Sequence, residues 1–213
     1  MAFPKEGKTT PSPSALFGYF RPMRSLVICT GNPGKVKDFR ALLNEQWELF
    51  DLDSMGIHQE LPETGDTLEA NALQKARYVH GSTGMPVLAD DTGLLVDHLN
   101  GAPGVRSARY AGEEKDPGAN MVKLLREMEG VNHRTARFIT VLAYIDGSGE
   151  HIFHGEVTGS IAGAPRGNEG FGYDPIFIPA GEDRTFAEMK AEEKNAISHR
   201  ARALQKFKAF VLR

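Results

Sequence analysis

The chain has 213 residues, 40% of them hydrophobic, and a formal net charge of −3. That size and apolar share suit one sizeable α/β domain or two closely packed lobes, and without a run of like charges neither a nucleic-acid-coating nor a polybasic membrane role is indicated. No apolar stretch approaches the ~18 residues of a membrane span, and the lone cysteine, Cys29, has no partner for an intrachain disulfide, which points to a reducing cytoplasm.

Residues 1–24 carry Pro4, Pro11, Pro13 and Pro22 among Ser, Thr and Gly, with no periodicity to pack. They are expected to form a disordered arm ahead of a single domain over 25–213. The arm lacks the apolar core of a secretory signal, its prolines break the helix an organelle presequence needs, and Met23 offers a second start just before the first strand.

Leu26, Val27, Ile28 and Cys29 read as a buried strand. Thr30, Gly31, Asn32, Pro33, Gly34 and Lys35 follow, and then Val36, Phe39, Leu42 and Leu43 recur at helical spacing up to about Trp47. Strand, Gly-rich turn, lysine and helix make an anion site: the turn points backbone N–H groups inward, the helix start adds partial positive charge, and Lys35 adds a full one. A phosphate chain is the natural ligand, although the same residues also read as a plain tight turn. Val36 stands where a Walker A loop needs Ser or Thr, so any metal must be held by carboxylates elsewhere.

Asp66 followed by Glu69 reads as a capping box opening a second helix, with Leu68, Ala72, Ala76 and Val79 as its apolar stripe and Gly81 and Gly84 at its end. Capping then accounts for Glu69, whereas Glu63 has no local partner and is the better metal-ligand candidate. Pro86 to Ala89 reads as a strand that delivers Asp90 and Asp91 to a turn at Thr92-Gly93. Adjacent strand residues face opposite ways, so Asp91 is expected to aim into a cleft and Asp90 to anchor the turn; an Asx turn alone is the plainer alternative. Magnesium, which takes a few carboxylates plus water and phosphate oxygens, fits such a set.

Asp116-Pro117 starts a third helix with Met121, Leu124, Leu125 and Met128 on its stripe and Gly130 at its end. Thr135 to Ile145 and Ile152 to Ile161 flank a turn at 146–149, a long hairpin. Phe171, Gly172, Tyr173 and Asp174 lie on a Gly-rich loop, where an aromatic beside a carboxylate resembles a platform for a base. Ile197, Ala201, Leu204 and Val211 mark a C-terminal helix carrying Lys194, His199 and Arg200 on or near it; His199, two residues past Ile197, is expected to face away from the stripe, where a solvated face is the ordinary explanation.

Five segments together resemble the inosine-triphosphate pyrophosphatase family: 30–35; 63–67 with Asn71-Ala72 and Lys75-Ala76; 89–93; 101–110; and 171–175 with 197–200. The resemblance covers Leu26 to about Phe207. It implies an elongated mixed central sheet with flanking helices, two lobes around a nucleotide cleft, a homodimer, and magnesium-dependent hydrolysis of non-canonical purine triphosphates (ITP, dITP, XTP) to monophosphate and pyrophosphate. Residues Thr30 to Lys35 would hold the phosphates, Glu63 and Asp91 the metal, and Asp91 would take the proton of the attacking water. Phe171, Gly172, Tyr173, Asp174, Lys194, His199 and Arg200 would enclose the base, with His199 and Arg200 meeting its 6-oxo acceptor. The family commonly has Ser where Thr92 keeps the hydroxyl. It often has Glu where this chain has Ala70, and Glu69 is the available substitute. A module that binds triphosphate without cleaving it is the alternative from another class.

Overall fold

Seven strands form one mixed sheet in the order β2-β1-β3-β5-β6-β7, with β4 pairing off β3. The structure, a computed structural model, describes residues 24–43 and 47–212; the arm expected over 1–24 lies outside them except for Arg24, which opens the first strand. The strands are β1 (Arg24–Cys29), β2 (Trp47–Phe50), β3 (Val87–Val96), β4 (Pro103–Gly104), β5 (Thr135–Asp146), β6 (Gly149–Ile161) and β7 (Phe177–Pro179). Strands β2, β1 and β3 run parallel, and β3, β5, β6 and β7 pair antiparallel. The helices are α1 (Pro33–Leu43), α2 (Leu68–Thr83), α3 (Pro117–Glu127), α4 (Ala191–Ile197) and α5 (His199–Val211).

Period-two alternation divides the core. Val27, Cys29, Val87, Ala89, Val141 and Ala143 face α2 and pack on its Ala72, Ala76 and Val79. Leu26, Ile28, Leu88 and Leu142 face the other way, onto Phe39 and Leu43 of α1 and Leu204 and Phe207 of α5. A third cluster gathers Leu94, Val96, Phe138, Val157, Phe177 and Phe186 around Leu124 and Met128 at the far end of the sheet. Strand β3 runs through all three. Its Asp90, Asp91 and Thr92 occupy the interval where the first two clusters end and the third begins.

Three local expectations are corrected. The strand does not turn at Thr92-Gly93, because Thr92 and Gly93 stay in register with Thr140 and Ile139 of β5. Gly93 also lets β4 cross closely, since a Cβ there would lie 2.8 Å from the Gly104 carbonyl oxygen. Helix α2 is capped by Thr67, whose hydroxyl accepts from the Ala70 N–H, so Asp66 and Glu69 form no capping box; Gly81 lies within the helix and Gly84, at φ 66°, ends it. The C-terminal helix is two helices, broken at Ser198, whose extended backbone and side chain cap α5 through the Ala201 N–H.

Candidate active site

The phosphate loop is built by its own side chains. Thr30 Oγ1 accepts from the Asn32 N–H at 3.2 Å, and Asn32 Oδ1 accepts from the N–H groups of Gly34 and Lys35 at 2.9 and 3.2 Å. Asn32 therefore caps α1. Two amides expected to face a phosphate are taken by that cap, and the loop's positive character comes from the helix start and from Lys35. Lys35 Nζ lies 2.9 Å from Asp90 Oδ1.

On the α2 face of β3, Asn71 Nδ2 donates to Asp91 Oδ2 at 3.2 Å. Lys75 Nζ donates to Glu63 Oε1 and to the Asp90 carbonyl, both at 2.6 Å, and stands 3.7 Å from Asp91 Oδ1. Arg109 donates to the other Glu63 oxygen at 3.0 Å. Burial opposes the charge on Glu63, but Lys75 and Arg109 outweigh it and hold the carboxyl down at about 2. Asp91 behaves oppositely: burial pushes its pKa up despite Lys75 and Lys35. Glu63 is thereby held ionised, and Asp91 takes a proton more readily than an ordinary aspartate.

On the opposite face Asp90 is fully buried. Arg200 Nη2 and Nε donate to its Oδ2 at 3.0 and 3.3 Å, while Arg200 Nη1 reaches Asp38 at 2.8 Å. Burial works against the Asp90 charge, yet Lys35 and Arg200 hold the carboxyl well below the usual carboxylate range. Thr92 Oγ1 donates to Asp90 Oδ2 at 3.2 Å and meets Thr140 Oγ1 at 2.7 Å; Thr140 meets His199 Nδ1 at 2.6 Å. His199 is 4% exposed and stacks on Phe138 at 4.7 Å. Its expected solvated position is corrected: Ile197 and His199 lie on different helices, so a single helical wheel does not relate them. Burial, aided by Arg200 and Lys194, pushes its pKa well below 6.5 and keeps the ring neutral.

The Phe171 N–H donates to Asp174 Oδ2 at 2.8 Å, and Lys194 Nζ donates to the same oxygen at 2.5 Å. Lys194 also stands 4.8 Å from the centre of the Phe171 ring. The ring lies against Gly34, where an added Cβ would clash with it, so the phosphate loop and the aromatic platform touch. Tyr173 anchors the platform by donating to the Ser107 carbonyl at 2.9 Å, and Gly172 turns it at φ 63°. These groups line one cleft of about 840 Å³: Thr30 to Lys35, Glu63, Asp91 and Thr92, together with Phe171 to Asp174, Lys194, His199 and Arg200. That volume suits a nucleotide-sized ligand.

A family model described as the Ham1 family matches residues 26–210. The chain belongs to the Ham1 family. It is 50% identical over 191 residues to a dITP/XTP pyrophosphatase of Porphyromonas gingivalis, covering 89% of this chain and 98% of that protein. Its identity to a protein of the same name from Bacillus subtilis is 49% over 188 residues, with 86% and 95% covered. The Staphylococcus aureus Ham1 structure superposes with a TM-score of 0.79 at 38% identity, covering 88% of this chain and 98% of that one. A Mycobacterium abscessus structure titled nucleoside-triphosphatase / dITP/XTP pyrophosphatase gives 0.69 at 42% identity, with 86% and 98% covered.

In this Ham1 chain no three His, Cys, Asp or Glu side chains among the described residues gather into a metal cage. Glu63 and Asp91, both against Lys75 Nζ, still offer two oxygen donors beside the cleft, the partial shell that magnesium completes with water and substrate oxygens. Glu69 is no substitute ligand, because it lies 3.6 Å from His154 and outside the cleft lining. Sequence reasoning assigned no role to Lys75, Asn71, Arg109, Asp38 or Thr140. A signal existed for the first two: Asn71 and Lys75 fall on the buried stripe of α2, where a lysine needs a reason.

Proposed function

We propose that this protein hydrolyses non-canonical purine nucleoside triphosphates (ITP, dITP and XTP) to the monophosphate and pyrophosphate. The observation that carries the reading is a single cleft lined together by the phosphate loop with Lys35, the carboxylates Glu63 and Asp91, and the aromatic platform at Phe171. The names carried by the Porphyromonas and Bacillus relatives support it.

In this account Lys35 and the start of α1 bind the phosphate chain and stabilise the charge left on pyrophosphate. Asp91, which faces the cleft, takes the proton of the attacking water. Asn71 holds that carboxylate in place. Magnesium held by Glu63 and Asp91 would neutralise phosphate charge and favour ionisation of water. Phe171 stacks on the base, and the polar groups around it select a 6-oxo purine over adenine. We further propose that residues 25–213 act as one catalytic unit, that two copies pair, and that the enzyme works in the cytoplasm, where its lone Cys29 stays reduced.

A panel of ITP, dITP, XTP, ATP and pyrimidine triphosphates, assayed for pyrophosphate and for inorganic phosphate with and without magnesium, tests this. Fast magnesium-dependent pyrophosphate release from the first three supports the reading. Binding without cleavage would make the protein a triphosphate sensor instead.

A further inference from the structure

His199 is joined to Asp90 by two hydroxyls, and the charge at one end fixes the direction of every proton between them. Asp90 Oδ2 can only accept, because Arg200 and Lys35 hold the carboxylate ionised. Thr92 Oγ1 stands 3.2 Å from it. Were the Thr92 proton turned elsewhere, an oxygen lone pair would face the full negative charge of a fully buried carboxylate, so that proton points at Asp90. Thr92 must then accept from Thr140 across their 2.7 Å contact, and it also accepts from Arg200 Nη2 at 3.3 Å. With its one proton spent on Thr92, Thr140 accepts from His199 Nδ1 at 2.6 Å. The ring is neutral, so Nε2 carries a lone pair.

That lone pair is open to the cleft. His199 lines the cavity, and Nε2 is not among the buried, unpartnered polar atoms. We propose that the Asp90–Thr92–Thr140 relay sets His199 as an acceptor for the N1–H of a 6-oxo purine, making Thr92 and Thr140 positioning residues for base selection. Hypoxanthine and xanthine carry a proton on N1, whereas adenine presents a lone pair there and would be repelled. The role is the reverse of the donor expected from sequence. Guanine also carries N1–H, so the relay discriminates against adenine and not against guanine. The base assignment rests on the triphosphate pyrophosphatase reading; the tautomer does not.

The test uses the full chain labelled with 15N. Long-range proton–nitrogen spectra of the ligand-free protein should show His199 protonated on Nδ1 and bare on Nε2, and Thr140→Val should abolish that preference. In steady state, Thr140→Val should lower the ITP-to-ATP ratio of kcat/KM by about tenfold, while Thr140→Ser restores both tautomer and ratio. Thr92→Val, one link further along, should act in the same direction and serves if Thr140→Val folds poorly. A wild-type His199 protonated on Nε2, or an unchanged ratio in folded Thr140→Val, overturns the proposal. If the wild type fails to cleave ITP, the reading of function falls and the base assignment with it, while the relay is still judged on the tautomer.

Discussion

Asp90 and Asp91 are neighbours in one strand and live in opposite surroundings. Asp90 faces α1 and α5, fully buried, with Lys35, Arg200 and Thr92 on its oxygens. Asp91 faces α2 with two neutral amide donors, the Asn71 side chain and the Thr92 N–H, and a lysine at 3.7 Å, and it looks into the cleft. Close pairing with two cations fixes a carboxylate as structure, because removing either cation strands a buried charge. Neutral donors, with the nearest cation 3.7 Å away, leave a carboxylate that can change its protonation or accept a metal. The alternation of a β-strand is enough to assign the two parts.

The largest effect that would test this contrast is expected at Lys75, the cation of the cleft face. Lys75→Met leaves Glu63, Asp91 and the Asp90 carbonyl facing one another and should cost about 3–5 kcal/mol of stability. Thermal unfolding measures it, and added magnesium should raise the Tm of the variant more than that of the wild type. Next is Lys35→Ala, expected to weaken triphosphate binding by about 10- to 100-fold through loss of a charge-assisted contact. Titration calorimetry should show a much smaller loss for a monophosphate; equal losses would detach Lys35 from the phosphate chain.

His199 gives a smaller, pH-dependent effect on the Asp90 face. Its folded-state pKa is pushed well below 6.5, so below that pH the unfolded chain takes up a proton that the folded chain refuses. Stability should therefore fall as pH drops from about 6.5, by up to about 1.4 kcal/mol per pH unit, and His199→Asn should flatten that slope in urea unfolding curves. Smallest is Ser198→Ala, which removes the cap of α5 and should cost about 1 kcal/mol, read as a lower Tm.

Much of this was legible in the chain. The stripes of α1, α2 and α3 and the β5–β6 hairpin followed from periodicity, and the Thr30–Lys35 loop from its order between strand and helix. Strands β2, β4 and β7 were not, because each is short and exists by pairing with β1, β3 or β6 rather than by a pattern of its own. The uninterrupted course of β3 past Gly93 depends on the same kind of long-range partner, β5. The site was legible as residue types and illegible as pairings. Nothing local says that Arg200 spans from Asp90 to Asp38, or that Lys75 joins Glu63 to β3. The burial of His199 turned on one residue, Ser198, whose capping signal outweighs helical continuity once α4 and α5 are read as separate helices.

The contrast between the two carboxylates is tested most directly by comparing Asp90→Asn and Asp91→Asn, with kcat for ITP measured at a temperature where both are folded and Tm measured alongside. Asp91→Asn should lose about 10²- to 10⁴-fold in kcat at near wild-type Tm, because it removes a charge and a base without removing volume. Asp90→Asn should lose several degrees of Tm and keep most of its kcat. A dead Asp90→Asn beside an active Asp91→Asn would contradict the account and place the chemistry on the other face of the strand.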